Sequence, residues 1–180
     1  KNYFERFGLS KRTGVDLPDE IPGLLANLEQ GRDINFATAS YGQGIAVTPI
    51  AMVRALAALG NGGYLIKPHV VEKTISNQTK LEHVVPLPGE AERVLKPETS
   101  HEISRMLVEV VDTKLAGGKA KLPNYTVAAK TGTAQMSDPS GGYYTDRYLH
   151  SFFGYFPAYN PKFLVFLYIQ NPRGVNYASE

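Results

Sequence analysis

Tyr125-Thr126-Val127-Ala128-Ala129-Lys130-Thr131-Gly132-Thr133 is the stretch on which the reading of this chain turns. Aromatic and β-branched residues open it and a small apolar run follows, so it reads as a strand. That strand delivers a cation, two hydroxyls and a glycine to its far end. A glycine there lets another backbone come close, so an extended peptide can pair with the strand if it lies at a sheet edge. The adjacent ammonium and hydroxyls can hold a carboxylate by charge-assisted hydrogen bonds. Read alone, the tetrad 130–133 also fits an ordinary strand end with a surface lysine.

Downstream, Gln135 to Tyr148 reads as a polar loop dotted with aromatics, whose Tyr143, Tyr144 and Tyr148 fit either the wall of a groove or ordinary surface and packing positions. Ser151–Phe156 and Phe163–Gln170 are rich in β-formers, and the five residues Pro157-Ala158-Tyr159-Asn160-Pro161 join them as a hairpin. Upstream, Gly117-Gly118 is a flexible link to a helix predicted from about Glu98 to Lys114. Ile103, Met106, Leu107, Val110 and Val111 form its apolar stripe. Two starts compete: a capping box of Thr99 and Glu102, or Pro97 at the first helical position.

A second helix begins with Thr48 as N-cap and Pro49 in the first turn. It carries Ile50, Val53, Leu56, Ala57 and Leu59 at helical spacing and stops at Asn61-Gly62-Gly63. Tyr41-Gly42-Gln43-Gly44 before it is a loop whose glycines supply positive φ. Tyr64 to Ile75 is expected to be extended, with Pro68 limiting it to an edge or interrupting it, and residues 76–93, with Pro86 and Pro88, form a polar surface excursion. Glycines and prolines punctuate residues 1–35, which read as a short helix end followed by turns and extended pieces. Asp16, Asp19 and Glu20 there read as solvated turn carboxylates. Three closing strands after two helices predict an α+β fold, an antiparallel sheet with helices packed on it.

Composition removes whole classes of function. The 180 residues, 43% hydrophobic, suit one domain with one core. Nineteen Lys and Arg stand against seventeen Asp and Glu, and this net charge of +2 is scattered, which argues against nucleic acid as a partner. There are no cysteines, so disulfides, thiolate metal sites and thiol catalysis are excluded. His69, His83, His101 and His150 form no ligand pair and read as exposed or hydrogen-bonded side chains, so neither a metal nor a cofactor is expected. No apolar run approaches the ~20 residues of a membrane span, Phe163 to Ile169 being far shorter. The opening Lys1-Asn2-Tyr3-Phe4 reads as the start of a piece cut from a longer protein.

Lys130-Thr131-Gly132-Thr133 resembles the Lys-Thr-Gly signature of penicillin-binding proteins and serine β-lactamases. Phe7-Gly8-Leu9 with Thr13-Gly14-Val15-Asp16-Leu17-Pro18 and Glu20 resembles the class B, monofunctional peptidoglycan transpeptidases in particular. So do Tyr41-Gly42-Gln43-Gly44-Ile45-Ala46-Val47-Thr48-Pro49 and His150-Ser151-Phe152-Phe153-Gly154-Tyr155-Phe156-Pro157. Their order and spacing agree over nearly the whole chain. Two signatures of that family are absent. No serine has a lysine three residues on, and Ser137-Asp138-Pro139 fails as Ser-x-Asn. The resemblance therefore implies that residues 1–180 are a partial domain, the second half of a transpeptidase domain. The first half would precede Lys1 and the closing helix would follow Glu180.

By that resemblance Lys130 would place positive potential beside the nucleophilic serine and help move its proton. Thr131 and Thr133 would bind the carboxylate of the substrate or of a β-lactam, and the Thr133 N–H would form half of the oxyanion hole. Gly132 would let the substrate peptide lie against the strand, and Tyr148 would wall its groove. The implied partners are stem peptides ending in D-Ala-D-Ala, β-lactam antibiotics, the upstream half of the domain and cell-wall synthesis membrane proteins. The implied location is extracytoplasmic, periplasmic or on the outer face of the cytoplasmic membrane, with an upstream anchor. A β-lactamase or D,D-carboxypeptidase of the same fold, and a non-catalytic module binding peptidoglycan or a β-lactam, are the alternatives. The Tyr41–Pro49 stretch speaks against the first of these.

Overall fold

The computed structural model describes residues 1–84 and 91–179; the expected surface prolines Pro86 and Pro88 lie outside the described residues. Five α-helices occur among the described residues: α1 (Asn2–Arg6), α2 (Ala26–Glu29), α3 (Asp33–Ala39), α4 (Pro49–Gly60) and α5 (Pro97–Thr113). The strands are β1 (Tyr64–Leu65), β2 (Lys73–Ile75), β3 (Glu82–Val84), β4 (Glu92–Arg93), β5 (Ala128–Ser137), β6 (Tyr143–Phe156) and β7 (Phe163–Gln170). The last three form one antiparallel sheet in the order β5-β6-β7, so β5 is an edge strand. With α4 and α5 packed on it, this is the α+β arrangement that the pattern predicts.

The sheet differs from expectation on one side. β5 begins at Ala128, three residues after Tyr125, and runs on through Gln135 to Ser137, while β6 already begins at Tyr143. Most of the expected loop from Gln135 to Tyr148 is therefore a hairpin, and Tyr143, Tyr144 and Tyr148 are strand residues. Asp138 is the cause. Its carboxylate accepts hydrogen bonds from the Ser140 N–H (2.8 Å) and hydroxyl (2.6 Å), and its own N–H donates to the Gly142 carbonyl (3.1 Å). Gly141 and Gly142 take the positive φ values, 118° and 74°, that close so tight a turn. At the other hairpin β7 has its expected bounds, and the connection is closed by the Lys162 N–H donating to the Phe156 carbonyl (2.9 Å).

Both long helices start where proline permits. Thr48 caps α4 by accepting from the Ala51 N–H (3.3 Å), and Pro49 opens the first turn. In α5 the start is Pro97, preceded by Lys96; Thr99 lies inside the first turn and Glu102 pairs with Arg105 (2.7 Å) instead of closing a capping box. Their buried faces are not the predicted large-residue stripes. In α4 the buried residues are Ala51, Ala55 and Ala58, at 1, 7 and 0% exposure, while Leu56 and Leu59 are half-buried. In α5 they are Ser100, Ser104 and Val111, and Met106 is exposed.

Ala55 packs with Leu9, Leu25 and Leu28, and Ala58 with Leu65 and Val94, while the serines of α5 bond to backbone groups at the end of α4. Ser100 donates to the Leu59 carbonyl (2.7 Å) and accepts from the Gly62 N–H (3.2 Å), so a side chain of α5 finishes the last turn of α4. Ser104 shares a hydrogen bond of 2.8 Å with the Tyr155 hydroxyl of β6. Burial pushes the Tyr155 phenol above its ordinary pKa, and this hydrogen bond opposes the shift. Tyr155, Ala128 and Ala158 form the buried contact between sheet and helices, flanked by Leu59, Leu107 and Val108.

Tyr64 to Ile75 is not one extended run. It yields β1, paired with β4, and β2, paired with β3, and Pro68 lies between them. Of the motif carboxylates of the first segment, Asp16 holds this region and Glu20 closes its own turn. Asp16 accepts from the Val70 and Val71 N–H groups (2.7 and 2.9 Å), and Glu20 from the Thr13 hydroxyl (2.6 Å) and the Gly14 N–H (2.9 Å). The Val71 N–H above all, with that of Val70, keeps the Asp16 carboxyl below its usual range against the opposing effect of burial. For Glu20 burial pushes upward, and the bonds from Thr13 and Gly14 outweigh it.

Both carboxylates are thus more acidic folded than unfolded, so their contribution is present at neutral pH. It fades as pH falls below the ordinary carboxylate range and through their depressed values. Asp16→Asn should flatten the acid limb of a stability-against-pH curve, measured by thermal melts between pH 3 and pH 7 (a window set by the ~3.9 and ~4.3 of free Asp and Glu). An unchanged acid limb contradicts the role given to Asp16. Ser104→Ala should cost about 1–2 kcal/mol in chemical denaturation by leaving the buried Tyr155 hydroxyl unpaired, and Tyr155→Phe in the same chain should recover part of it.

Candidate active site

The ladder between β5 and β6 sets out the site. Ala128 lies opposite Tyr155, Lys130 opposite Phe153, Gly132 opposite Ser151 and Ala134 opposite Leu149. β7 adds Phe166, Tyr168 and Gln170 to the same rows. Alternation along the strands puts all of these on the face toward α4. Ala129, Thr131 and Thr133, with Phe152 and His150, belong to the opposite face.

Between the first face and α4 lies an open cavity of about 500 Å³. Met52 and Leu56 of α4, Val47, Phe153 and Phe166 make its walls apolar, and Lys130, Thr131, Gly132 and Thr133 all border it. A second hollow of about 840 Å³, bordered by Asn27, Gln43 and Tyr143, shares Gly42, Ile45, Ala134 and Gln170 with the first. The two form one trough beside β5. From Lys130 to Ser137 its length is roughly 23 Å, at ~3.3 Å per residue.

Four of the five residues expected at the site are therefore together. Lys130 is exposed, and its Nζ donates to the Thr131 carbonyl at 2.6 Å. Among the described residues no carboxylate forms an ion pair with it, so its charge acts on an apolar-walled space without being neutralised. The Thr133 hydroxyl accepts from the Ala178 N–H (3.0 Å), which brings the end of the described chain against β5. Gly132 is needed for a reason internal to the sheet. A Cβ there would stand 2.7 Å from the Ser151 Oγ.

Tyr148 is not brought to the cavity. It lies opposite Gln135 on the other face of the sheet, donates to the Thr145 carbonyl (3.0 Å) and borders a shallow polar depression with Asp146 and Arg173. The expectation of a groove wall rested on a loop, and strand alternation turns the residue away. Tyr144 lies under the Arg147 guanidinium (4.1 Å), and only Tyr143 of the three tyrosines reaches the trough. His150 also departs from its reading as an exposed or hydrogen-bonded histidine. It is 6% exposed, and its Nε2 has no hydrogen-bond partner among the described residues.

The opposite wall is the Tyr41–Val47 loop, with Gly42 and Gly44 at φ 86° and 72° as expected. Asn27 Nδ2 donates to the Gly44 carbonyl (2.8 Å), and Leu24 and Ala46 pair their backbones (2.7 and 3.0 Å). Tyr41, Met52, Ser151 and Tyr168 border the cavity without having been singled out in the sequence. Met52 and Leu56 carried the signal in their spacing of four on α4. Ser151 and Tyr168 depend on a cross-strand register that residue order alone does not give.

Chemically, the arrangement offers an uncompensated cation and two hydroxyls along an open strand edge, against an apolar cavity. The Ser151 hydroxyl directs itself to the Gly132 carbonyl (3.4 Å), not to a base. These residues can bind an acidic extended ligand and stabilise an anion, but they do not by themselves make an activated nucleophile.

The penicillin binding protein transpeptidase domain model matches residues 1–180. Stage V sporulation protein D of Bacillus subtilis is 37% identical over 172 residues, covering 96% of this chain and 26% of its own length. Peptidoglycan D,D-transpeptidase FtsI of Escherichia coli is 33% identical over 174 residues, covering 97% of this chain and 27% of its own. The chain thus spans about a quarter of the length of these curated relatives. Penicillin binding protein 3 of Mycobacterium tuberculosis in complex with aztreonam superposes with a TM-score of 0.87 at 30% identity, over 99% of this chain and 42% of that one. Its ampicillin complex gives a TM-score of 0.85 at 32% identity, over 95% of this chain and 39% of that one.

Proposed function

The chain belongs to the penicillin-binding protein transpeptidase family, and from that premise we propose that it forms the second half of the catalytic domain of a peptidoglycan D,D-transpeptidase. The observation that carries this is Lys130, unpaired by any described carboxylate, at the rim of an apolar cavity beside an edge strand. Such a cavity suits an apolar segment from the rest of the protein, one that brings its serine to the Lys130 ammonium. The absence of Ser-x-x-Lys from residues 1–180 fits that division of labour.

In this reading the donor is a stem peptide ending in D-Ala-D-Ala, laid in the trough against the free edge of β5. Main-chain pairing aligns it, and the Thr131 and Thr133 hydroxyls donate to its terminal carboxylate. The serine oxygen attacks the carbonyl carbon of the penultimate D-Ala. The Thr133 N–H, with the serine's own, stabilises the oxyanion, and such a donor typically contributes about 3–4 kcal/mol. The carbon–nitrogen bond breaks, D-Ala leaves with the serine's proton on its amine, and an ester remains. An amine of a neighbouring stem then attacks that ester, forming the cross-link and freeing the serine. Lys130 lowers the cost of each transfer by holding positive charge where negative charge develops.

A β-lactam presents a carboxylate and a strained acyl group to the same residues and stops at the ester. The relatives solved with aztreonam and ampicillin support this ligand class. The substrate lies outside the cytoplasm, so the site works there, periplasmic or on the outer face of the cytoplasmic membrane. Among the described residues no helix is long and apolar enough to cross a membrane. An anchor would belong to the upstream part of the protein, as would contacts with cell-wall synthesis membrane proteins.

A fluorescent penicillin should label the full-length protein covalently, and Lys130→Ala should slow that labelling by about a hundredfold or more. Labelling at the unmodified rate contradicts the role of Lys130. No labelling of the unsubstituted full-length protein removes the enzymatic reading and leaves a non-catalytic binding module.

A further inference from the structure

Gly132 and Ser151 face each other across the β5–β6 ladder, so close that a Cβ at position 132 would stand 2.7 Å from the Ser151 Oγ and force it to move. The Ser151 Oγ stands over the glycine and borders the same cavity as Lys130. Its hydrogen bond to the Gly132 carbonyl, 3.4 Å, is long. A hydroxyl also carries two acceptor lone pairs, and among the described residues none of the hydrogen bonds uses them. Lys130 lies two residues from Gly132 on the same face, so Lys130 and Ser151 are diagonal neighbours. Backbones so related are roughly 7–8 Å apart, within reach of a lysine stem. The ammonium has three donors and is folded back onto its own strand, at the Thr131 carbonyl.

We propose that Ser151 is a positioning residue. Its Oγ accepts a hydrogen bond from the Lys130 ammonium, draws it from the Thr131 carbonyl and aims it into the cavity. At the same time the Ser151 hydrogen stays on the Gly132 carbonyl. This rests on the transpeptidase reading and adds a residue to it. The chemistry suits a hydroxyl better than a carboxylate. A carboxylate here would pair with the lysine and cancel the charge that the site uses, whereas a neutral acceptor orients the ammonium and leaves the charge in place. Gly132 follows from the same requirement, because an alanine Cβ would displace the hydroxyl that does the orienting.

The test is acylation of the full-length protein by benzylpenicillin in rapid mixing, which separates the dissociation constant of the first complex from the limiting acylation rate. Ser151→Ala should lower the limiting rate about tenfold, the worth of one hydrogen bond, with initial binding within about twofold and an unchanged melting temperature. Ser151→Thr, which keeps the hydroxyl, should recover the rate to within about threefold of the natural protein.

Three results would overturn the proposal: an alanine variant with the natural limiting rate, a loss confined to initial binding, or a threonine variant as slow as alanine. If Ser151→Ala melts lower, Ser151→Cys, with nearly the same volume and a weak acceptor, replaces it, and the same rate loss without a stability loss is required. If the unsubstituted protein is not acylated at all, the transpeptidase reading fails first and this inference falls with it.

Discussion

Ala128 opposite Tyr155 sets the register on which every later placement depends. Tyr155 is held by its hydroxyl to Ser104 and by its ring within the sheet–helix core, so β6 has one position relative to α5. With β6 fixed, the ladder carries Lys130, Gly132 and Ala134 to the face toward α4 and leaves Thr131 and Thr133 on the other. A slip of one residue would exchange the two sets and turn the ammonium away from the cavity. The chemistry of the site is therefore decided several residues before Lys130, by packing rather than by charge.

The helix layer answers to the same constraint. An apolar cavity can lie between the sheet and α4 because the other flank of α4 has already used its small residues against the rest of the molecule. Ala51, Ala55 and Ala58 are buried, which leaves Met52 and Leu56 to face the cavity. Ser100 closes the last turn of α4 from the neighbouring helix, so the end of α4 is fixed by α5 and not by its own sequence. On the far side of the trough, the Tyr41–Val47 loop owes its form to positive-φ glycines and to the Asn27 side chain.

Much of this was legible because local chemistry and tertiary placement agreed. Thr48-Pro49 starts a helix wherever it is packed, β7 has a β-forming run bounded by turn residues, and Lys130-Thr131-Gly132-Thr133 falls on a strand as its composition demands. The misreadings share a cause. Ser137–Gly142 is as good a signal for a tight hairpin as for a long loop, and only strand pairing decides between them. That choice moved Tyr148 off the groove. Periodicity favoured large apolar residues on α4 and α5, while the most buried positions are mostly alanine and serine, which carry almost no hydrophobic signal. Ser151 was quoted only within a longer motif, since its value lies in being opposite Gly132.

In the transpeptidase reading proposed above, the serine and tyrosine hydroxyls that join α4, α5 and β6 also bear on how the protein would escape an antibiotic. Position 155 lies four residues from Ser151 on the same strand, and positions 100 and 104 grip the helix that walls the cavity. Substitutions there would touch no drug, yet would tilt the strand on which the reactive geometry is carried. Reduced susceptibility could thus arise in the interior, out of contact with the inhibitor, and a surveillance panel restricted to residues lining the cleft would miss it.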